Sequence, residues 1–380
     1  MTSEAGASES DFEIFLVAVP GLEGPLCAEA RALGFKAKTV PGGVSLKGGW
    51  PEVMRANLEI RGASRIIARI DQFRAQHLSQ LDKRARRVPW ASVLRADVPV
   101  RVEATCKSSK IYHSGAAAQR IERAIAAEIG APVTPDADVV IKARIEKEVC
   151  TIGVDTSGEL LHKRGHKQAV AKAPMRETMA ALFLRQCGFT GNEPVLDPMC
   201  GSGTFVIEAA EIAAGLKPGR ARAFAFEALA SFDAAAWEKM RADSEAAARH
   251  ELAAGVRFHG SDIDAGAVRM AQANAERAGV AGLTEFSQCG VEERTAPDGP
   301  PGLVIINPPY GDRIGDKGRL KALYRALGHT LLTRFAGWRV GLITNEAMLA
   351  QATGLPFSLS AEPVLHGGLR ITLYRTAALP

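Results

Sequence analysis

The sequence has no long apolar run and few aromatic residues. None of its hydrophobic stretches approaches the roughly 20 residues that a helix needs to cross a bilayer. The first residues, MTSEAGASES, are polar and acidic, without the basic and apolar regions of a secretory signal. We therefore predict a cytoplasmic protein that has no contact with a membrane. Aromatic residues make up only 6% of the chain, so any stacking on a nucleobase must rest on few side chains.

The cysteines form no pattern that is typical of disulfides or metal sites. There is no C-x-x-C pair, and no histidine cluster stands at metal-ligand spacing. Scattered cysteines of this kind are typical of reduced intracellular thiols. We therefore predict neither a disulfide framework nor a metal site. The six cysteines are Cys27, Cys106, Cys150, Cys187, Cys200 and Cys289.

The charge balance is mildly basic, with a formal net charge of +5. This value alone does not establish a nucleic-acid partner, so local clusters are more informative. KRARR at 83–87, Lys107 with Lys110, and HKRGHK at 162–167 all precede the motifs described below. Single basic clusters are usually solvated surface, but three in one region favour contacts with phosphate groups. The predicted phosphate-binding residues are Lys107, Lys110, Lys163, Arg164 and Lys167.

Two regions of the chain differ in their pattern. From Asp11 to about Asp155, short strands and helices alternate, with hairpin signals at Gly42–Gly43 and in VVIKARIEKEVCTIGV. This mixture favours an α+β module of ferredoxin-like type. From Pro194 onward, strand–turn–helix units follow one another and predict a doubly wound α/β sheet, whose ligands bind beyond the carboxyl ends of the strands. The basic stretch at 158–174 between the two regions is interpreted as a connector.

Polar or glycine-rich motifs follow the first two strands of the second region. In VLDPMCGSGTF, Asp197 ends a strand, and Gly201 and Gly203 allow a tight turn. The G-x-G spacing has no third glycine and no phosphate-binding lysine, which favours a cofactor without a pyrophosphate. In GSDID, Asp262 is placed to accept hydrogen bonds from ribose hydroxyls, whereas Asp264 is expected to cap the next helix. Together these motifs predict a cofactor that contains adenosine.

The third strand runs into VIINPPYG, an unusual ending for a buried strand. The side-chain oxygen of Asn307 and the carbonyl of Pro308 can accept the two hydrogens of an exocyclic amine. Tyr310, interpreted as an exposed aromatic, can stack on the ring that bears this amine. Such hydrogen bonds favour attack of the amine nitrogen on an electrophilic methyl group. The alternative is a Pro-Pro loop with an ordinary surface tyrosine.

The motifs DPMCGSGTFVIEAA, GSDID and NPPYG together resemble those of the class I S-adenosylmethionine-dependent amino-methyltransferases. LHKRGHK and APMRETMAA resemble the RNA-modifying branch that carries a THUMP domain. From about Phe12 to the C-terminus, the chain is similar to the bacterial 23S rRNA guanine-N2 methyltransferase family. The resemblance implies an α/β protein, with a Rossmann-like methyltransferase domain preceded by an α+β ferredoxin-like/THUMP module. It also implies S-adenosylmethionine as cofactor, and a monomer acting on 23S rRNA or on the assembling large ribosomal subunit.

The resemblance also implies domain boundaries and site residues. The expected segments are a disordered tail at 1–11, a ferredoxin-like segment at 12–65, a THUMP domain at 66–156, a connector at 157–175 and the methyltransferase domain at 176–380. The expected cofactor-binding residues are Asp197, Gly201, Gly203, Thr204, Asp262, Ile263 and Asn307. The expected catalytic residues are Asn307, Pro308 and Tyr310. The lysines and the arginine named above would then bind RNA.

The sequence departs from the family pattern after the next strand, EFSQCGVEER. The family commonly has an acid there that accepts from the adenine amino group, and this chain has Gly290. The main chain of 289–291 or the carboxylate of Glu292 could take this role. Other targets remain open, namely adenine in DNA, guanine in tRNA or glutamine in a protein. A catalytically dead RNA-binding assembly factor is the alternative from a different class.

Overall fold

The computed structural model describes residues 11–167, 175–249, 252–253, 256–310 and 317–380. The predicted tail at 1–11 lies outside these residues except for Asp11, and the predicted connector at 157–175 lies partly outside them. The described chain divides into two compact units. The first contains the described residues up to Ala18, Ala30–Leu161 and Arg222–Asp243, and the second contains Val19–Glu29, His162–Ala221 and Ser244–Pro380, within the described ranges.

The first unit is built on a seven-stranded sheet. Its strands are β1 (Phe12–Val17), β2 (Lys38–Val40), β3 (Gly43–Gly48), β4 (Arg65–Arg74), β5 (Val100–Lys107), β6 (Val139–Glu146) and β7 (Val149–Asp155). The strand order is β2-β3-β1-β4-β7-β6-β5. All neighbours are antiparallel except β5 and β6, which are parallel. Both predicted hairpins are present, and Gly42 supplies the positive φ of +79° that the first turn requires.

Apolar spacing explains the helices of this unit. They are α2 (Trp50–Glu59), α3 (Leu78–Ala85) and α4 (Ser114–Ile129), while α1 (Glu23–Ala32) contributes residues to both units. In α4, the buried residues Ala117, Ile121 and Ala124 follow helical periodicity and form one apolar face. The helix ends where Gly130 takes a left-handed conformation, with φ of +73°.

The second unit is built on an eight-stranded sheet. Its strands are β8 (Val195–Asp197), β9 (Phe258–Asp262), β10 (Thr284–Gln288), β11 (Leu303–Ile306), β12 (Arg339–Thr344), β13 (Phe357–Ser360), β14 (Val364–His366) and β15 (Leu369–Thr376). The order is β10-β9-β8-β11-β12-β15-β13, and β14 pairs with β15. β8 to β12 are parallel, and β15 is antiparallel to its neighbours β12, β13 and β14. The predicted doubly wound α/β sheet is thus confirmed, and β15 extends it as an antiparallel strand beside β12.

Helices connect the strands of this sheet. They are α5 (Glu177–Gln186), α6 (Thr204–Ala213), α7 (Ala234–Ala246), which begins in the first unit, α8 (Ala265–Ala278), α9 (Lys317–Arg334) and α10 (Ala347–Ala352). All four residues of β11 are buried, as expected for a central parallel strand covered on both faces. The strand order reverses between β8 and β11, so the favoured ligand position lies at the carboxyl ends of these strands. Within the described ranges, no helix is long and apolar enough to cross a membrane.

Candidate active site

The three predicted motifs follow three neighbouring strands of the second unit. β8 ends at Asp197, β9 ends at Asp262, and Asn307 directly follows β11. β8 lies between β9 and β11 in the sheet, and all three run parallel. Because the carboxyl ends of parallel strands open at the same edge, the structure brings the three motifs together.

The glycine loop is tied to the second strand end by a carboxylate. Gly201 and Gly203 have φ of +52° and +82°, a region that favours glycine. The N–H of Gly201 donates to Oδ2 of Asp262 at 3.0 Å, and the N–H of Asp264 donates to Oδ1 of Asp262 at 3.0 Å. Asp264 caps α8 by accepting from the N–H of Gly266, as expected. Asp262 therefore fixes the loop as well as facing the ligand side.

Asp197 is buried beneath this loop, with 3% of its surface exposed. Its Oδ1 accepts from the N–H of Met199 at 3.0 Å. Burial raises the pKa of this carboxyl to about 8, and the neighbouring charge of Asp262 acts in the same direction. Asp197 is therefore protonated at neutral pH unless a cation lies beside it. A cationic amino group would favour its carboxylate form.

A cavity of about 610 Å³ opens at the edge where the motifs meet. Three predicted residues, Asp262, Ile263 and Asn307, line it. Pro309 lines it in place of the predicted Pro308, which is buried. The other lining residues are Pro198, Met199, Cys289, Gly290, Val291, Glu292, Glu293 and Leu323. The remaining predicted residues, Asp197, Gly201, Gly203, Thr204 and Tyr310, are not part of its lining.

The wall of the cavity offers groups that suit a base and a nucleoside. Oδ1 of Asn307 is buried and has no hydrogen-bond partner among the described residues. An unsatisfied buried acceptor costs about 1–3 kcal/mol, so a ligand that donates to it is favoured. Ile263 is 77% exposed and presents an apolar surface beside Asp262. These residues fit an adenosine-containing cofactor together with an amine-bearing base.

Tyr310 differs from its predicted state. We expected an exposed aromatic, but Tyr310 is fully buried, so this expectation is wrong. Tyr324 of α9, which sequence reasoning missed, lies beside the same loop. Its hydroxyl donates to the Pro309 carbonyl at 3.3 Å and lies 3.3 Å from Oγ1 of Thr344. Burial raises the pKa of Tyr324. Stacking of Tyr310 on a target base remains a prediction.

Gly290 leaves open space at the cavity wall. A Cβ atom placed on it would meet no atom within 4 Å. The adjacent Cys289 N–H donates to the main-chain oxygen of Asp262 at 3.1 Å, which holds this segment against the end of β9. Glu292 also lines the cavity and is exposed. The segment can therefore offer main-chain groups or the Glu292 carboxylate to a ligand.

The predicted phosphate-binding residues fall into two groups. Lys107, Lys110 and Lys163 are exposed, and Lys107 lies 3.8 Å from a carboxylate oxygen of Glu146. The exposed position of these three ammonium groups is compatible with phosphate binding.

Arg164 and Lys167 do not fit the predicted role. Arg164 is 2% exposed, and its Nη2 lies 3.4 Å from Oε1 of Glu208. Nζ of Lys167 lies 3.1 Å from Oε1 of Glu177 and donates to Oγ1 of Thr204 at 2.9 Å. Both cations are occupied inside the second unit, so the structure corrects their assignment as RNA contacts. Their partners lie outside the basic cluster, on α5 and α6, so the cluster alone does not indicate that these two cations are occupied.

Within the described residues, no group of three or more histidine, cysteine or acidic side chains could hold a metal ion. Burial also raises the pKa of the Cys200 thiol, so this cysteine in the glycine loop is not a reactive thiolate. The polar groups that line the cavity include the carboxylates of Asp262 and Glu292 and the amide of Asn307.

A sheet of this order, with its cavity at the strand reversal, is the architecture of class I S-adenosylmethionine-dependent methyltransferases. Residues 164–373 match the family described as the RMKL-like methyltransferase domain, and the chain belongs to this family. Residues 13–67 match the ferredoxin-like domain of RlmL. The predicted fold class and the assignment to a methyltransferase family are thereby confirmed.

Two curated relatives come from Vibrio campbellii and Vibrio parahaemolyticus, and both are named ribosomal RNA large subunit methyltransferase K/L. Each is 33% identical over 337 residues, which cover 86% of this chain and 48% of the relative. The chain thus spans about half the length of these relatives.

Solved structures resemble the chain over nearly its whole length. SMU.472, whose structure was solved as a complex with SAH, is 26% identical with a TM-score of 0.88, covering 98% of this chain and 99% of that one. A Listeria monocytogenes protein, described as a predicted N6-adenine-specific DNA methylase, is 28% identical with a TM-score of 0.87. This match covers 98% of this chain and 97% of the Listeria chain.

Proposed function

We propose that the chain transfers a methyl group from S-adenosylmethionine to the exocyclic N2 of a guanine in 23S rRNA. The observation that carries this proposal is the buried Oδ1 of Asn307, which has no hydrogen-bond partner among the described residues and lies in the wall of the cavity that Asp262 also lines. An acceptor in this place suits an amine that must be held while it reacts. The names of the Vibrio relatives support ribosomal RNA of the large subunit as the substrate.

The cofactor has a distinct set of residues. Asp262 would accept from the ribose hydroxyls, and the exposed side chain of Ile263 would cover a face of the adenine. Asp197 and the loop of Gly201 and Gly203 would hold the amino-acid part, whose cationic amino group favours the charged form of Asp197. When bound, S-adenosylmethionine supplies an electrophilic methyl group.

The target amine is held by two acceptors. Oδ1 of Asn307, in the cavity wall, would accept one of its hydrogens. The carbonyl of Pro308, a buried residue outside the cavity lining, is proposed as the acceptor of the other, and the rings of Pro308 and Pro309 restrict the loop. Hydrogen bonds of this kind keep the nitrogen in the geometry for attack. Neither acceptor is a base, so solvent takes the proton that the nitrogen loses. No covalent bond to the enzyme is needed.

The first unit would supply RNA binding. Residues 66–156 are proposed as a THUMP domain, with Lys107 and Lys110 on phosphates and Lys163 contributing from the second unit. Structured RNA is recognised mainly through its backbone and shape, and the target guanine would leave its stack to reach the cavity. We propose a cytoplasmic monomer that acts on 23S rRNA or on the assembling large subunit.

A second candidate is methylation of another exocyclic amine. The acceptors at Asn307 and Pro308 would hold N6 of adenine as well as N2 of guanine, because both amines offer two hydrogens. The Listeria structure, described as a predicted DNA methylase acting on N6 of adenine, favours keeping this candidate. A guanine in tRNA is chemically equivalent to one in rRNA.

Asn307→Ala tests the proposal. Radiolabelled methyl transfer is measured with unmodified large-subunit rRNA, with tRNA and with DNA. We expect the substitution to lower the rate on rRNA by about 10²–10³-fold, as for loss of one stabilising polar group in an active site. Asn192→Ala, at an exposed asparagine of the same unit, serves as the matched control. Full activity of Asn307→Ala contradicts the mechanism, and label in tRNA or DNA but not in rRNA favours the second candidate.

A further inference from the structure

Helix α6, which follows the glycine loop, carries two fully buried glutamates. Glu208 and Glu211 have no exposed surface, although the rest of the helix, TFVIEAAEIA, is almost wholly apolar. Together with Thr204 they stand at positions i, i+4 and i+7, and so share one face of the helix. Buried carboxylates require charged or hydrogen-bonding partners, so this polar face must pack against a complementary segment.

The basic segment HKRGHK at 162–167 is that complement. Three of its side chains each meet one residue of the polar face of α6. Nη2 of Arg164 lies 3.4 Å from Oε1 of Glu208, and Nζ of Lys167 donates to Oγ1 of Thr204 at 2.9 Å. Nδ1 of His166 lies 3.9 Å from Oε1 of Glu211, whose close ion-pair partner is Arg220 at 2.5 Å. The segment thus packs along α6 from its first turn to its last. This packing explains why basic residues cluster at 162–167, which RNA binding does not account for.

Lys167 makes the contact nearest to the cofactor loop. Its side chain is 10% exposed, and Nζ has three oxygen partners. It lies 3.1 Å from Oε1 of Glu177, 2.9 Å from Oγ1 of Thr204 and 3.2 Å from the carbonyl of Met175. An ammonium group has three N–H donors, so all of them are used. Thr204 is the first residue of α6 and directly follows Gly203, so Lys167 acts at the junction of loop and helix.

A second connection leads from the same segment to the loop. Nε of Arg277 donates to the carbonyl of His166 at 2.7 Å, and its guanidinium also donates to Oδ1 of Asn274. Nδ2 of Asn274, which is fully buried, donates to the carbonyl of Ser202 at 3.0 Å. The loop is therefore held at Ser202 and at Thr204 by groups that both connect to the basic segment.

We propose that Lys167 is a positioning residue for cofactor binding, which acts by fixing Thr204 and with it the conformation of the loop at 201–204. In this role Thr204 supports the loop through its hydroxyl and is not a ligand contact. The inference rests on the cofactor-binding half of the proposed function and is independent of the RNA substrate.

The test is a double-mutant cycle on SAH affinity, measured by calorimetry on the full chain without RNA. The variants are K167M, T204V and the double mutant, and melting temperatures are recorded for each. We expect each single variant to weaken SAH binding by about tenfold, the size expected for losing a hydrogen bond to a charged group. The double mutant should bind no more weakly than either single variant, because both remove the same interaction. T204S, which keeps the hydroxyl, should bind like the wild type.

The possible outcomes separate the alternatives. A wild type that binds no SAH contradicts the proposed function itself. If K167M has a lower melting temperature but binds SAH like the wild type, the positioning role of Lys167 is overturned. It is also overturned if the losses of SAH affinity in K167M and T204V add in the double mutant. K321M, at an exposed lysine of α9, controls for loss of one positive charge and should leave SAH affinity unchanged. If K167M does not fold, K167R replaces it in the cycle and the same criteria apply.

Discussion

Replacing Gly290 by Asp should tighten cofactor binding, because the structure leaves room for the acid that the family pattern has at this position. Gly290 lines the cavity, and a Cβ atom there would meet nothing within 4 Å. Its φ lies outside the left-handed region, so a side chain adds no backbone strain. The new carboxylate would stand where it can accept from the adenine amino group.

The expected gain in SAH affinity depends on how exposed the new carboxylate at position 290 is to water. A hydrogen bond to a charged group contributes about 1.5–3 kcal/mol when it is well shielded from water. The cavity wall at Gly290 is partly open, since the neighbouring Glu292 is exposed, so the low end of this range applies. About 1.4 kcal/mol corresponds to a tenfold lower Kd for SAH.

Calorimetry with SAH and with its inosine analogue tests this reasoning. The analogue has a carbonyl in place of the adenine amino group, so the new carboxylate should repel it. We expect Gly290→Asp to bind SAH about tenfold more tightly and the analogue no more tightly than the wild type does. Gly290→Ala separates the effect of the backbone from that of the carboxylate. Equal gains for both ligands, or no gain for SAH, would refute the assignment of Gly290 to the adenine.

Three further predictions concern the groups around the cavity. Burial raises the pKa of Asp197 to about 8, so between about pH 4 and this value the folded protein holds a proton that the unfolded chain has lost. The free energy of unfolding should therefore fall as pH rises through this window. Melting curves recorded across this pH window should show that Asp197→Asn lacks this fall in the free energy of unfolding. If the variant keeps the same pH dependence as the wild type, the raised pKa of Asp197 is contradicted. Tyr324→Phe removes the hydroxyl that donates to Pro309 and should lower kcat severalfold and stability by about 1 kcal/mol; unaltered kinetics would show that this contact does not position the loop. Arg164→Met removes an ion-pair partner of buried Glu208 and should lower the free energy of unfolding in urea by about 3–5 kcal/mol. A decrease below about 1 kcal/mol is inconsistent with a buried ion pair.

The sequence predicted the meeting of the three motifs because parallel strands leave little freedom in where their ends lie. Once Asp197, Asp262 and Asn307 each follow a buried strand of one sheet, they share its carboxyl edge. Local rules were also sufficient for Asp264, a helix cap recognisable from its position before α8. These features depend on neighbours in sequence or on the regular geometry of the sheet.

The burial of a side chain and its charged partners depend on other segments of the chain. For these two properties the sequence alone was misleading. The position of Tyr310 after a Pro-Pro pair predicts an exposed ring, but Tyr310 is fully buried and lies close enough to Tyr324 to affect its pKa. Arg164 and Lys167 belong to a basic cluster that predicts phosphate contacts, but their partners lie on α5 and α6. A usable signal existed: Glu208 and Glu211 interrupt an apolar helix, and such carboxylates demand buried cations.

Methylation of N2 of a guanine in 23S rRNA by this chain can be tested directly. Large-subunit rRNA from cells that lack the gene is incubated with the purified protein and S-adenosylmethionine carrying a deuterated methyl group, and its nucleosides are mapped by mass spectrometry. We expect a deuterated methyl group on N2-methylguanosine within 23S rRNA. Deuterium only on adenine, or none in 23S rRNA while tRNA or DNA becomes labelled, would contradict it.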